Sequence, residues 1–273
     1  MRRRDLLAAC FLIAVLAGTG CSRVAFVKTD PSRGDFERVT EPVSVQETEA
    51  SLTRAAAARA LDQSRVKLSE GDFAAAESLA RTALKHDPQS AGAYTLLGVI
   101  ADRQGQRDQA GANYLRATEL APSNGGVHNN YGAWLCANGR AAESLAWFDR
   151  ALLDPSYPTP AAAQANAGRC ALDAGQLDRA RGDLRTAIAV DPENPVALEA
   201  LARLELHSGR FMEARAFSER RLHAAPATAE ALLLASQIET KLGDTAAAAR
   251  YVRRLREEFP GVAQGNAGGS KSP

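Results

Sequence analysis

AGAYTLLGVIADRQGQRDQAGANYLRATELAPSN, residues 91–124, is the stretch on which the reading of the whole chain turns. Small residues hold its eighth, twentieth and twenty-seventh places (Gly98, Ala110, Ala117), a glycine its fifteenth (Gly105), and a proline, Pro122, stands near its end. The pattern recurs on both sides. Glycines fall at 71, 105, 139, 175, 209 and 243, at spacings of 34, 34, 36, 34 and 34, and prolines at 88, 122, 192, 226 and 260 keep the same period with one gap. With units starting at 57, 91, 125, 161, 195 and 229, every glycine lies at a turn between two helices, where it can take the left-handed conformation that ends a helix. Each proline then lies between one unit and the next, where it stops the second helix.

The small positions keep the same register. Ser64, Gly98, Gly132, Gly168, Ala202 and Ser236 hold the eighth place, and Ala76, Ala110, Ser144, Ala180, Ala214 and Ala248 the twentieth. These are the points where the two helices of a unit cross, and a small side chain lets the backbones approach. Ala83, Ala117, Ala151 and Ala187 hold the twenty-seventh place, which packs on the following unit; Arg221 and Leu255 replace alanine in the last two, which predicts looser packing there. A helical pair repeated every 34 residues is the signature of the tetratricopeptide repeat, TPR. The predicted fold is therefore all-α, a right-handed superhelical solenoid of six TPRs. Composition agrees: helix-forming Ala, Leu, Arg, Glu and Gln dominate from about residue 51 to 259, and at 5% aromatics a core with large aromatic anchors is not expected. The third unit is two residues longer than its neighbours and ends in Asp154-Pro155-Ser156-Tyr157-Pro158-Thr159-Pro160, which reads either as a rigid projection or as a longer inter-repeat turn.

The ends follow other rules. Residues 1–20 have Arg2, Arg3 and Arg4 ahead of an apolar run from Leu6 to Ala17, too short to span a bilayer, and read as a signal peptide. The run ends in Ala17-Gly18-Thr19-Gly20-Cys21, which resembles the lipobox of bacterial lipoproteins, although Gly18 stands where Leu is usual. Cys21 is the expected lipidation site, and Ser22 after it implies export to the outer membrane. Residues 21–50 read as a flexible tether, 51–260 as the TPR domain, and 261–273, rich in Gly and Ser, as a disordered tail. Removing the leader takes the formal charge from +1 to −1. A near-neutral chain lacks the broad positive field of a nucleic-acid binder, and Arg250, Arg253, Arg254 and Arg256 read as the solvated face of a last helix, balanced by Glu257 and Glu258.

Little in the sequence points to chemistry. His86, His128, His207 and His223 belong to no zinc-spaced set, and there is no GxSxG, P-loop or dinucleotide fingerprint. No enzyme, cofactor, metal or small-molecule substrate is expected. Cys136 and Cys170, the twelfth and tenth residues of neighbouring units, lie on first helices that pack side by side, and read either as a disulfide or as two buried thiols. Binding in such arrays takes place on the concave face, at the second, fifth, ninth, twelfth and thirteenth residues of each first helix. In units one and two these include Leu61, Arg65, Leu68, Thr95 and Val99, the more apolar set and the predicted partner groove. In units three to five they include Asn129, Arg169, Asp173, Glu199, Arg203 and His207, a more polar set. The Lys/Asn pair with which some TPR proteins grip a terminal carboxylate is missing from the first three units.

Two stretches carry a more particular likeness: Asn129-Asn130-Tyr131-Gly132-Ala133-Trp134-Leu135-Cys136, and Tyr157-Pro158-Thr159-Pro160 followed by Asn166-Ala167-Gly168-Arg169-Cys170. With the order of lipobox, tether and six TPRs, the chain resembles the type IV pilus biogenesis and stability lipoproteins of the PilF/PilW family over roughly residues 50–260. The resemblance implies an outer-membrane lipoprotein facing the periplasm, acting as a pilotin for the pilus secretin or as a fibre-stability factor. It also implies that Cys136 and Cys170 are the family's paired cysteines. Implied partners are the secretin or other pilus-assembly proteins, and the outer membrane through the lipid anchor. A general periplasmic TPR lipoprotein adaptor, serving outer-membrane protein assembly or cell-wall enzymes, is the alternative reading.

Overall fold

The computed structural model describes residues 48–261; the leader, the expected lipidation at Cys21, nearly all of the expected tether and the tail from 262 lie outside the described residues. Twelve α-helices and no strand occur among the described residues. They form six hairpins: α1 (Glu49–Ser69) with α2 (Phe73–His86), α3 (Ala91–Arg103) with α4 (Arg107–Leu120), and α5 (Gly125–Ala137) with α6 (Ala141–Leu152). The series continues with α7 (Pro160–Asp173) and α8 (Leu177–Val190), α9 (Pro195–His207) and α10 (Phe211–Ala224), and α11 (Ala229–Leu242) and α12 (Thr245–Glu258). Helix α1 is the longest at 21 residues and starts at Glu49, well ahead of position 57. None of these helices is long and apolar enough to cross a membrane.

Punctuation is local and side-chain encoded. The six register glycines sit within the hairpin turns at φ between +73° and +80°. At Gly105 its N–H reaches the Asp102 carbonyl at 3.0 Å and the next N–H, of Gln106, reaches Ala101 at 2.8 Å, so carbonyls left open at the end of α3 are satisfied. The following first helices are capped by Ser90, Asn124, Asn194 and Thr228, each accepting from the N–H three residues on. Helix α7 is the exception. It starts on Pro160, whose missing N–H costs nothing at a first helical position.

Three hairpins close by an exchange of volume at one crossing. Where the eighth residue is glycine, a bulky side chain from the second helix covers it: Tyr114 on Gly98, Phe148 on Gly132, Leu184 on Gly168. A Cβ at those glycines would meet the covering side chain at 2.8, 3.0 and 2.5 Å respectively. In the first hairpin the eighth residue is Ser64, its hydroxyl donating to the Ala76 carbonyl at 2.7 Å, and Ala80 stands where the others carry Tyr, Phe or Leu. At the glycine crossings, small on one helix permits large on the other.

Two expectations from sequence are revised. Aromatics are few but concentrated: Tyr131 lies edge-on to Trp147 at 4.8 Å and stacked on Trp134 at 5.8 Å, and His128 is 5.6 Å from Trp147. Trp134 in turn lies so close to Gly111 of α4 that a Cβ there would come within 2.3 Å of its ring. The third hairpin thus has large aromatic anchors that a chain-wide percentage conceals. Nor do Arg221 and Leu255 leave gaps. Arg221 is only 6% exposed, its guanidinium bonded to the Ala225 and Pro226 carbonyls and 3.4 Å from Glu199, while Leu255 packs with Ala229 and Leu232. Burial of a charge is tolerated because it is paired and hydrogen-bonded.

The long turn after α6 folds back on its own hairpin. One oxygen of the Asp154 carboxylate accepts the Gly125 N–H at 2.8 Å, and the other accepts the Ser156 hydroxyl and N–H at 2.6 and 2.9 Å. Tyr157 lies against Gly125, where a Cβ would come within 2.9 Å of it. The turn is a staple across the start of α5, which accounts for its stiff composition.

The crossings predict opposite effects of adding one methyl. Gly168→Ala drives a Cβ into Leu184 and lowers stability by about 1–3 kcal/mol. Gly182→Ala, in the middle of α8 with open space around it, raises stability by about 0.5–1 kcal/mol. Thermal unfolding of the two variants checks both signs, and combining Gly168→Ala with Leu184→Ala costs less than the sum of the singles.

The staple has a pH signature. The Ser156 hydroxyl, then the Gly125 and Ser156 N–H groups, hold the Asp154 carboxyl below its ordinary pKa. Stability from such a group is present above the unfolded-state pKa and is lost as pH falls through the folded one. Asp154→Asn therefore lowers the melting temperature at pH 7, and the difference from the native chain shrinks below about pH 4.

Candidate functional site

The first helices α1, α3, α5, α7, α9 and α11 carry the concave face. The five residues expected to line an apolar groove at its amino-terminal end do not form one patch. Leu61 and Leu68 are half-buried and pack together against Ala76, Ala80, Leu96, Leu97 and Ile100, within the first hairpin and onto the second. Val99 belongs to a different cluster, with Ala101, Ala110, Tyr114, Tyr131 and Leu135. Arg65 is exposed and paired with Asp62 at 2.6 Å, and the Thr95 hydroxyl donates to the Ala91 carbonyl at 2.9 Å. What the groove offers here is the outer flank of Leu61 and Leu68, with their inner faces already in the core.

Further along, the polar set is drawn together. The Asn166 side-chain amide donates to the Asn129 side-chain oxygen at 3.0 Å, joining α7 to α5 along the groove. One turn on, Arg169 meets Asp173 at 3.4 Å, and on α9 Arg203 meets Glu199 at 3.1 Å. Arg169, Leu172, Val196, Glu199, Ala200 and Arg203 enclose a cleft of ≈ 250 Å³ between α7 and α9. Sequence register found its charged rim; Leu172, Val196 and Ala200 were missed, although the first two hold the twelfth and second positions of their units and could have been read from the same rule.

The junction of the third and fourth hairpins is tied more than the others. The Cys136 and Cys170 sulfurs are bonded at 2.10 Å, joining α5 to α7 with both residues buried. On the convex side Arg179 reaches Asp149 at 2.5 Å and Asp183 at 3.3 Å, and Gln164 donates to Asp183 at 2.9 Å. Burial pushes the Asp183 carboxyl above its ordinary pKa, with Arg179 pulling it back. The disulfide closes a loop of 34 residues, so in the chain-entropy account its reduction costs about 3–4 kcal/mol. Protein denatured without reductant is expected to leave both thiols unlabelled by an alkylating reagent, and reduction is expected to lower the melting temperature.

Further carboxylates are buried beside arginines nearer the carboxyl end. Glu205 pairs with Arg210, and Glu239 accepts Arg215 Nε at 2.9 Å. Both sit at the eleventh position of their units; Glu205 ties α9 to the residue that caps α10, and Glu239 ties α11 to α10 of the preceding hairpin. His86, His207 and His223 are exposed, whereas His128 is buried with Nε2 2.8 Å from the Pro122 carbonyl. Among the described residues no group of three or more His, Cys, Asp or Glu is placed to hold a metal.

Comparison with known proteins agrees with this architecture. A family profile described as tetratricopeptide repeat matches residues 61–125 and 100–163, and a second with the same description matches 171–238. The solved structure of PilW, described as a widely conserved type IV pilus biogenesis factor, superposes with a TM-score of 0.70 at 30% identity, over 77% of this chain and 98% of PilW. The type IV pilus assembly protein PilF of Pseudomonas aeruginosa is 27% identical over 195 residues, 71% of this chain and 77% of its own length. The cellulose synthase operon protein C of Pseudomonas fluorescens is 28% identical over 190 residues, which is 67% of this chain but 15% of that protein. An all-α superhelical repeat fold, tetratricopeptide profiles along most of the solenoid and a match to nearly the whole of PilW place the chain in the tetratricopeptide-repeat family of type IV pilus biogenesis proteins that includes PilW and PilF.

Proposed function

We propose that this chain is an outer-membrane lipoprotein, anchored through Cys21 on the periplasmic side, that serves as a protein-binding scaffold in type IV pilus biogenesis. In that role it is a pilotin, helping the pilus secretin reach the outer membrane and form its multimer, or a factor that stabilises the fibre. The supporting observation is coverage. PilW and PilF are matched over 98% and 77% of their own lengths, whereas the cellulose synthase operon protein is matched over 15%. A match of the last kind is what shared repeats alone produce, and it supports only the broader alternative of a general TPR adaptor.

Scaffolding fits the physical character of the groove. Its surface offers apolar flanks and paired charges, the ingredients of recognition by an amphipathic or extended segment. The Cys136–Cys170 bridge suits an oxidising compartment such as the periplasm. The partner surface assigned to the secretin is the outer flank of Leu61 and Leu68, nearest the end from which a lipid tether at Cys21 would arrive.

Co-purification from detergent-solubilised membranes tests the reading. The native chain is expected in the outer-membrane fraction with secretin bound. Cys21→Ser should leave that fraction or retain its leader. Leu61→Glu with Leu68→Glu, shown by circular dichroism to remain helical, should stay in the membrane and lower the yield of secretin multimers several-fold. Absence of secretin from the native preparation removes the pilotin role, and normal multimers with the double variant remove the groove.

A further inference from the structure

The cleft between α7 and α9 is a second concave feature, chemically unlike the apolar flank of the first two hairpins. Arg169, Glu199 and Arg203 line it, and the Asp173 carboxylate and the Arg221 guanidinium pair with them from outside the lining. Glu199 is met by Arg203 at 3.1 Å and by the buried Arg221 at 3.4 Å, and Asp173 is met by Arg169 at 3.4 Å. One positive charge is left over. On the rim, Arg169 and Arg203 each donate one N–H within the protein; among the described residues their other N–H groups have no acceptor. Such forks match a carboxylate bidentately and bind it more strongly than a neutral acceptor. Between them lie Leu172, Val196 and Ala200, an apolar floor. The cleft's ≈ 250 Å³ equals about eight waters of liquid volume, space for one medium apolar side chain and the group beside it.

We propose that this cleft receives the free carboxyl end of an extended peptide whose last side chain is apolar. The inference rests on the reading of the chain as a protein-binding scaffold and adds to it a separate site with its own ligand chemistry. A chain end is favoured over an aspartate or glutamate side chain for a chemical reason. Only at a carboxyl terminus do an apolar side chain and a carboxylate branch from the same Cα, so that both enter one small cleft together. The rest of the peptide has a path along the groove. The Asn129–Asn166 pair, one turn of α7 away from Arg169, uses one oxygen and one N–H of its two amides on itself. A donor remains on Asn129 and an acceptor on Asn166, and these are the two groups a peptide main chain requires.

The probes are acetylated Ser-Gly-Ser-Ala-Ala-Leu as the free acid, the same peptide as its carboxyl amide, and an amidated peptide ending in Glu. Binding to the disulfide-intact chain is followed by NMR shifts and titrated to millimolar peptide. The free acid is expected to move signals of Leu172, Val196 and Ala200, and the amide to bind about tenfold more weakly, the effect of losing one charge-assisted contact. Arg203→Gln should weaken the free acid by a similar factor. Val196→Glu, at a lining position that is 37% exposed, should abolish binding by placing a carboxylate in the cleft while the chain stays folded. Arg116→Gln, which removes the same charge on α4, should change nothing. Equal binding of acid and amide, tighter binding of the Glu-ended amide, shifts elsewhere, or no binding of the free acid each overturns the assignment. None of these results alters secretin co-purification, so failure here and failure of the scaffold reading are told apart.

Discussion

Every level of this structure depends on how closely two helices can cross within one hairpin. Backbone approach at the eighth and twentieth positions sets the interaxial distance, and that distance must be nearly constant for six hairpins to stack. Three crossings use glycine under Tyr114, Phe148 or Leu184, and the first uses Ser64, its hydroxyl bonded to the Ala76 carbonyl, with Ala80 in place of the bulky residue. These are different solutions to the same volume requirement. Protein interiors tolerate exchanges that conserve volume far better than net gains or losses of a methylene. In a solenoid each hairpin touches only its neighbours, so an error at one crossing is not averaged over a central core.

That constraint explains what could be read from the sequence. Residue size at fixed spacing is a property of the chain itself, so the glycine period of 34, the alanines at position 27 and the turn glycines led directly to helices, hairpins and register. Less legible was whatever depends on which distant side chain fills a space. Arg221 read as a misfit for an alanine site, yet Glu199 and the Ala225 and Pro226 carbonyls are arranged to receive it. The aromatic cluster around Tyr131 was diluted in a 5% average. It draws Trp134, Trp147 and His128 from positions that mean little until α4, α5 and α6 are packed together.

The groove was legible in outline and not in detail, for a related reason. Register identifies the positions on the concave face, but says nothing of how much of a side chain the core has already taken. Leu61 and Leu68 occupy groove positions and still turn their inner faces to Ala76, Ala80 and Leu97. In a repeat array whose second helix is rich in alanine, a long first-helix side chain is needed to fill the interior, and only its remainder faces a partner. The polar residues further along suffer no such competition. Asn129, Asn166, Arg169 and Arg203 keep hydrogen-bonding groups beyond the pairs they already form.

The distribution of ties along the array bears on how such a groove keeps its shape. The long turn after α6 adds length between the third and fourth hairpins, and added chain by itself loosens the relation of neighbouring units. This junction carries the Cys136–Cys170 bridge and the Asn129–Asn166 contact on one side, and the Arg179–Asp149 pair on the other. Restraints on both faces fix a hinge in both directions, which restraints on one face cannot do. The Asp154 staple removes the remaining freedom by returning the extra residues to Gly125. The two parts of the groove, apolar toward α1 and polar toward α9, therefore meet across a junction held on both faces. A partner that engages both parts encounters a fixed spacing, and its ordering cost falls on its own chain instead of on the scaffold.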